Sequence, residues 1–317
     1  MNVLSLFDGI SACHLALTKA RHTVDTYYTS EIDKYAEQIS KKNYPDAIRL
    51  GDVTKWQEWD IDWSTIDLVT GGFPCQAWSV AGKQMGDKDP RGMLFWVMLD
   101  IMKTVLVHNP KAFFLIENVK MKKEFEQYIT HHTEQALGKV EKHLINSALV
   151  SAQNRQRYYW TNIQGIEQPQ DKGILIKDII ETGKAPTLST CQGEPRVPKV
   201  LCGAMRGRYI VDGKRQDHKM KTAGLTEQRL EVREDEKTNS LTTVQKDNYA
   251  VNPENLSYRK LTPTECERLQ TFPDGWTDCV CKTQRYWALG NAWTVDVIAH
   301  IFRNLPGTST NYGEIEK

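Results

Sequence analysis

Apolar and polar residues alternate in short blocks over the first half of the chain. Val3 to Phe7 is an apolar run that breaks at Asp8-Gly9, and Ser11 to Lys19 then carries helical spacing. Thr23 to Ser30, rich in Thr, Val and Tyr, predicts a second strand, and Glu31 to Asn43 a helix ended by Pro45. Ile66 to Thr70 is a third apolar run, stopped by Gly71-Gly72. Leu94 to Val107 repeats apolar residues at helical spacing, and Ala112 to Ile116 is a continuous apolar strand of the kind buried on both faces. Strands alternating with helices in this order predict an open, mostly parallel α/β sheet.

The pattern changes after about Trp160. Residues 164–257 carry Gly, Pro and Thr at irregular spacing with only short β-like pieces such as Arg208 to Val211, and predict a separate, strand-poor small domain. The similarity of KAPTLST at Lys184 to KTNSLTT at Lys237 is read as chance in a Thr-rich region. Helical character returns after Pro263, where Thr262 and Glu265 have the spacing of a capping box, and Thr294 to Asn304 predicts a final amphipathic helix. The expected organisation is an α/β domain over 1–163, a smaller irregular domain over 164–257, and a C-terminal segment over 258–317 that folds back on the first domain.

Composition narrows the class. The 317 residues are 40% hydrophobic and 26% charged, which suits a soluble globular protein. The longest nearly uncharged apolar stretch, Met93 to Leu99, is far below the roughly 20 residues a bilayer crossing needs, and no basic region precedes the apolar N-terminal residues. No membrane association is expected. Seven cysteines without repeating spacing fit reduced thiols in a cytoplasm. Forty-one basic side chains balance 40 acidic ones, so any nucleic-acid surface must be local. Between Arg196 and Lys221 eight basic residues face two acidic ones, which makes this stretch a candidate for phosphate contact or else a solvated loop.

Candidate chemistry clusters at the predicted strand ends. Phe7-Asp8-Gly9 could let backbone approach a cofactor at a helix N-terminus, or simply form a tight turn. Glu31 stands where such sheets place a ribose partner, and Asp52 where an adenine amine could be received; helix capping is the alternative for both. Gly71 to Ser79, GGFPCQAWS, puts Cys75 on a rigid loop at a strand end, a candidate nucleophile; a small buried thiol is the alternative, less favoured beside Pro and Gly than inside an apolar run. Glu117, directly after an apolar strand, has the placement of a general acid, with a helix cap as the alternative. Gln153, Arg155 and Arg157 would share one face of an extended segment, offering two guanidiniums to an anion or planar polar ligand, or to structural acids. Cys279 and Cys281 lack a second close pair, so no metal site is expected.

Taken in order, these features resemble the DNA cytosine-5 methyltransferases of bacterial and phage type. The resemblance rests on FDGI, GGFPCQAWSVAGK, PRGMLFW at Pro90, ENV at Glu117, QNRQR at Gln153, RKLTPTECERLQTFPDGW at Arg259 and GNAWTV at Gly290. It spans nearly the whole chain outside 164–257, where that family places its variable target-recognition domain. It implies a Rossmann-like, S-adenosylmethionine-dependent methyltransferase fold with a mixed sheet and a smaller irregular recognition domain. It implies sequence-specific methylation of a cytosine flipped from double-stranded DNA: Cys75 attacks carbon-6, Glu117 stabilises and protonates, Arg157 contacts the cytosine carbonyl and Arg155 helps position the thiolate. Phe7, Asp8, Gly9, Ile10, Glu31, Ile32, Asp52, Val53, Gly72, Leu94, Asn291 and Ala292 would line the cofactor site; Gln76, Ser79, Lys83, Arg206 and Arg208 would meet DNA.

Two departures stand out. Ser11 and Ala12 occupy places where the family usually has further glycine, and Ile32 stands where an aromatic is common. A monomer, in the cytoplasm of a bacterium or phage-infected host and with or without a cognate restriction endonuclease, is the expected form. An RNA methyltransferase of the same fold and a catalytically silent DNA-binding protein are the rival readings. The intact Cys75, Glu117, Arg155 and Arg157 argue against the second; a cysteine hydrolase is poorer still, because no histidine occupies a comparable strand end.

Overall fold

The computed structural model describes residues 1–74, 92–181, 200–211, 214–215, 226–243, 248–254 and 256–307. In chain order the elements are β1 (Asn2–Leu6), α1 (Ala12–Lys19), β2 (Thr26–Ser30), α2 (Lys34–Asn43), β3 (Ile48–Arg49), β4 (Leu68–Gly71), α3 (Met93–His108), β5 (Phe113–Val119), α4 (Lys123–Leu137), β6 (Glu141–Asn146) and β7 (Gln156–Thr161). They continue with α5 (Ile176–Ile179), β8 (Leu201–Arg208), β9 (Ile210–Val211), β10 (Lys214–Arg215), β11 (Glu227–Arg233), β12 (Tyr249–Val251), β13 (Tyr258–Lys260), α6 (Pro263–Leu269), α7 (Lys282–Asn291) and α8 (Val295–Phe302).

The chain divides into two compact units, the first made of 1–146, 156–169 and 292–317 and the second of 147–155 and 170–291. This differs from the division expected above. Residues 258–291 belong to the second unit, and only Ala292 onward returns to the first, where Lys19 bonds Asp296 and His22 bonds the Phe302 carbonyl.

The first unit is a seven-stranded sheet in the order β3-β2-β1-β4-β5-β7-β6. The strands from β3 to β5 run parallel, and the β6–β7 hairpin closes the edge antiparallel. Leu4, Leu6, Val69, Phe114 and Ile116 are buried together with Phe95, Met98 and Met102 of α3, which is why these strands read as unbroken apolar runs. The order reverses beside β1, whose neighbours β2 and β4 lead outward in opposite directions. Ligands of open α/β sheets bind at the carboxyl ends of strands at such a switch point.

The helix expected from Glu31 starts only at Lys34. Asp33 is its N-cap, accepting from the amides of Tyr35 and Ala36, while Glu31 turns its carboxylate back to the amides of Ile32 and Asp33.

The second unit is not strand-poor. It holds a four-stranded antiparallel sheet, β11-β8-β12-β13, and the short β9–β10 pair. Strand β8, LCGAMRGR, hides its period because Gly203 and Gly207 stand where side chains would collide: a Cβ on Gly203 would lie 2.9 Å from both Leu230 and Val251. The capping box of Thr262 and Glu265 is formed, and the fully buried Glu265 and Glu267 are neutralised by Arg259 at 2.7 Å and Arg285 at 2.9 Å. The TPTECERLQ motif therefore supports the unit's own interior.

Candidate active site

The loop from β1 to α1 is held in an uncommon shape. Phe7, Gly9 and Ser11 all have positive φ, at 54°, 60° and 60°. A Cβ on Gly9 would meet no heavy atom within 4 Å, so this backbone borders open space. The Gly9 amide donates to Glu31 at 2.8 Å, and with the amides of Ile32 and Asp33, both at 2.9 Å, the carboxylate accepts three backbone hydrogen bonds. Burial nonetheless pushes the Glu31 carboxyl up. Beside it Ile32 is 76% exposed, an apolar surface with no protein cover of its own. At the end of β3, Asp52 caps the following 3-10 turn through the amide and hydroxyl of Thr54, which lowers its pKa, and Val53 is buried beneath it. Leu94 is half-buried against the core cluster. Glu31, Ile32 and Asp52 thus lie at the ends of β2 and β3, on the same side of the switch point as Gly9.

A nucleoside cofactor fits this edge. The open backbone at Gly9 admits close approach, Glu31 offers acceptor oxygens for hydroxyls, and Ile32 offers apolar cover for a base. Asp8, expected among the cofactor contacts, turns inward instead: its carboxylate accepts from Tyr27 at 2.5 Å and Ser11 at 2.7 Å.

Glu117 lies at the carboxyl end of β5 with its side chain 11% exposed. In the antiparallel β5–β7 register Val119 faces Arg157 and Glu117 faces Tyr159, so Glu117 and Arg157 are diagonal neighbours on one face. Arg157 Nε stands 3.0 Å from Glu117 Oε1, and its Nη1 donates to the Gln156 carbonyl at 2.9 Å. Gly72 leaves room for this carboxylate, since a Cβ there would lie 3.3 Å from Glu117 Oε2 and 3.0 Å from Trp293 Nε1. Next to it, Asn118 is buried and donates to the Phe73 carbonyl at 3.0 Å. Phe73 in turn packs on Phe95 with ring centroids 5.0 Å apart. The segment leading to Cys75 is thereby fixed as far as Pro74. Cys75, Gln76, Ser79 and Lys83 themselves lie outside the described residues.

Arg155 keeps different company from Arg157. Strand β7 begins only at Gln156, so the alternation expected from Gln153 to Arg157 does not hold. Arg155 is 3% exposed and donates to the Leu241 carbonyl at 2.8 Å, Ser240 Oγ at 3.2 Å and the Gly290 carbonyl at 3.4 Å. Gln153 accepts from the Leu241 amide and donates to the Leu269 carbonyl, and Gln270 donates to the Leu289 carbonyl. Gly290 completes the packing, because a Cβ on it would lie 2.5 Å from the Thr242 carbonyl group. Gly290→Ala is accordingly expected to destabilise the protein by about 2 kcal/mol or more through overpacking against rigid backbone, read as a lower midpoint in urea unfolding.

Asn291 is exposed at the end of α7 in the second unit, and Ala292 is buried in the first. On β8, Arg208 forms a two-pronged ion pair with Glu231 at 2.5 and 2.6 Å and is 18% exposed, whereas Arg206 stands 3.7 Å from the same carboxylate and is 40% exposed. Tyr27, Ser40, Asn118 and Trp293 were not singled out from the sequence as site residues; Asn118 and Trp293 lay within the quoted motifs ENV and GNAWTV. Among the described residues, no cluster of His, Cys, Asp or Glu could hold a metal ion.

An α/β sheet switched beside β1, with acidic residues at the ends of β2, β3 and β5, is the arrangement in which open α/β sheets bind nucleotide cofactors. The model of the C-5 cytosine-specific DNA methylases matches residues 1–307. The Type II methyltransferase M1.ScrFI of Lactococcus lactis subsp. cremoris is 33% identical over 93% of this chain and 75% of its own. M.NlaX of Neisseria lactamica is 31% identical over 94% of each. Among solved structures, the Entamoeba histolytica methyltransferase EhMeth shares the fold with a TM-score of 0.64 at 16% identity, covering 96% of this chain and 97% of that one. The chain belongs to the C-5 cytosine-specific DNA methylases, enzymes whose methyl donor is S-adenosylmethionine.

Proposed function

We propose that this methylase acts on one short sequence of double-stranded DNA through a covalent adduct between Cys75 and carbon-6 of a flipped cytosine. The observation that carries the reading is the Glu117–Arg157 pair at the end of β5, given room by Gly72, directly beside the strand whose loop leads to Cys75. Addition of the Cys75 thiolate to carbon-6 pushes electron density toward ring nitrogen 3 and carbon-5. Glu117 holds nitrogen 3 and the exocyclic amine and hands over a proton as negative charge develops, while Arg157 orients Glu117 and meets the cytosine carbonyl oxygen. S-adenosylmethionine, when bound, supplies an electrophilic methyl group. Once carbon-5 carries that methyl, loss of its proton restores the double bond and expels the Cys75 thiolate. Base flipping exposes both ring atoms, which a stacked base would withhold.

Phe7, Gly9, Ile10, Glu31, Ile32, Asp52, Val53, Gly72, Leu94, Asn291 and Ala292 are proposed to hold the cofactor, and Gln76, Ser79, Lys83 and Arg206 to meet DNA. Arg208, already matched by Glu231, is proposed to serve that strand pair first. Arg155 is proposed to hold the segment from Ser240 to Thr242. The enzyme is read as a cytoplasmic monomer. A restriction endonuclease of the same specificity is its proposed partner, since the relatives named above are Type II methyltransferases; among the described residues, no helix is long and apolar enough to cross a membrane.

Bisulfite sequencing of unmethylated duplex DNA incubated with the protein and S-adenosylmethionine tests the reading. Protected cytosines in one recurring context are expected; protection of transfer RNA alone would overturn it. Arg206→Ala is expected to weaken DNA binding and to flatten the dependence of log K on log salt by about one, the loss of one phosphate contact. An unchanged slope would return Arg206 to a solvated strand face.

A further inference from the structure

Three positive φ angles within five residues, two of them at side-chain-bearing positions, require something to hold them. For Ser11 the holding contacts are all buried. Ser11 Oγ lies 2.7 Å from Asp8 Oδ2 and 2.7 Å from Ser40 Oγ, and having one hydrogen it donates to the carboxylate and accepts from Ser40. Tyr27 donates its hydroxyl to the other Asp8 oxygen at 2.5 Å, and the Asp8 amide is tied to the Ser30 carbonyl at 3.1 Å. Both oxygens of Asp8 are therefore engaged behind the loop, by Tyr27 of β2 and by Ser11 of the loop itself, and Ser40 of α2 backs Ser11. The backbone so held carries the Gly9 amide, and that amide is one of the three donors that orient Glu31.

We propose that Asp8, Tyr27, Ser11 and Ser40 form a positioning network which does from behind what a glycine at position 11 would do by conformational freedom alone, setting Gly9 and through it Glu31 for S-adenosylmethionine. None of the four is a catalytic residue. Asp8 acts through Gly9, and its side chain does not face the ligand edge. This inference rests on the reading of Glu31 and its surroundings as the cofactor site.

Two substitutions at one position separate its parts. Ser11→Ala keeps the Cβ, and with it the unfavourable left-handed backbone, but removes the hydroxyl. Ser11→Gly removes the hydroxyl and the backbone penalty together. Cofactor binding to the whole protein, followed by calorimetry without DNA, is expected to weaken about tenfold for Ser11→Ala and no more than about threefold for Ser11→Gly. Tyr27→Phe, which strips one donor from Asp8, is expected to weaken it about as much as Ser11→Ala and to speed hydrogen exchange of the peptide containing Gly9. In steady state the KM for cofactor should rise with these changes while the KM for DNA stays put. Glu31→Ala is the companion variant. If it leaves cofactor affinity unchanged, the site reading fails. If it weakens binding while Ser11→Ala and Tyr27→Phe do not, or if Ser11→Gly proves the weaker of the Ser11 pair, the positioning network fails and the site reading stands.

Discussion

Cys75→Ala is expected to abolish methyl transfer, with turnover down by roughly 10⁴-fold or more, the scale on which loss of a covalent nucleophile registers. Carbon-5 of cytosine gains nucleophilic character only through addition at carbon-6, so no weaker version of the reaction remains once the thiolate is gone. The three buried cysteines among the described residues are poor replacements. Burial pushes the Cys13 thiol up to about 12 and the Cys202 thiol to about 11, and raises that of Cys266 still further, so these three stay protonated and inert. Cofactor binding should survive, because Glu31, Ile32 and Asp52 lie at other strand ends, and the Asn118–Phe73 hydrogen bond fixes the base of the loop whatever follows Pro74. Transfer of labelled methyl to duplex DNA, with calorimetric cofactor binding alongside, checks both halves. DNA carrying 5-fluorocytosine adds a direct readout: the intact protein should remain covalently attached to it, since fluorine cannot leave as a proton does, and the variant should not. Turnover retained in Cys75→Ala would end the covalent mechanism.

The legible parts of this molecule are those where one local rule decides the outcome. Strands β1, β4 and β5 are buried in the parallel sheet, so their apolar runs announce them, and the break in each run marks a strand end. Glu117 follows the apolar run of β5 this way, whereas Glu31 and Asp52 come after β2 and β3, whose ends are polar. The reading failed where a distant contact decides. Helix α2 starts at Lys34, capped by Asp33, while Glu31 stays outside it and accepts from Gly9, a residue 22 positions earlier. Arg155 and Arg157 look like one strand face, yet the ladder begins between them and Arg155 bonds to residues more than 80 positions away. Strand β8 escaped notice because its glycines answer to Leu230 and Val251 on other strands rather than to strand propensity. Ser11 shows the same limit from the other side. Its left-handed conformation is unremarkable for glycine and costly for serine, and only the hydroxyl lattice around Asp8 accounts for it.

Glu117→Gln is expected to slow the chemical step by about 10²- to 10⁴-fold, the range of a positioned acid or base. The substitution keeps the shape of the side chain and a carbonyl oxygen within reach of Arg157 Nε, which in the native protein stands 3.0 Å from the carboxylate. It loses the acidic group that can take up a proton and pass it to nitrogen 3, and with it the charge that, in the ionised state, offsets Arg157. Glutamine can still hydrogen-bond a cytosine, so DNA affinity should change far less than the single-turnover rate. The charge loss has a separate cost. With both side chains only 11% and 13% exposed, a neutral partner leaves the Arg157 guanidinium largely buried without its counter-ion, a destabilisation of about 3 kcal/mol. That cost is measured independently by urea unfolding and acts through the folded fraction, which stays near complete for a protein of ordinary stability. Arg157→Ala, in contrast, leaves the Glu117 carboxyl group in place but unoriented. Its rate loss should be smaller than that of Glu117→Gln, and combining the two should cost less than the sum of their separate effects, because both act through one pair. Full additivity between them, or a rate loss in Glu117→Gln no larger than its loss of folded protein, would show that the pair holds the β5–β7 edge together without taking part in the chemistry.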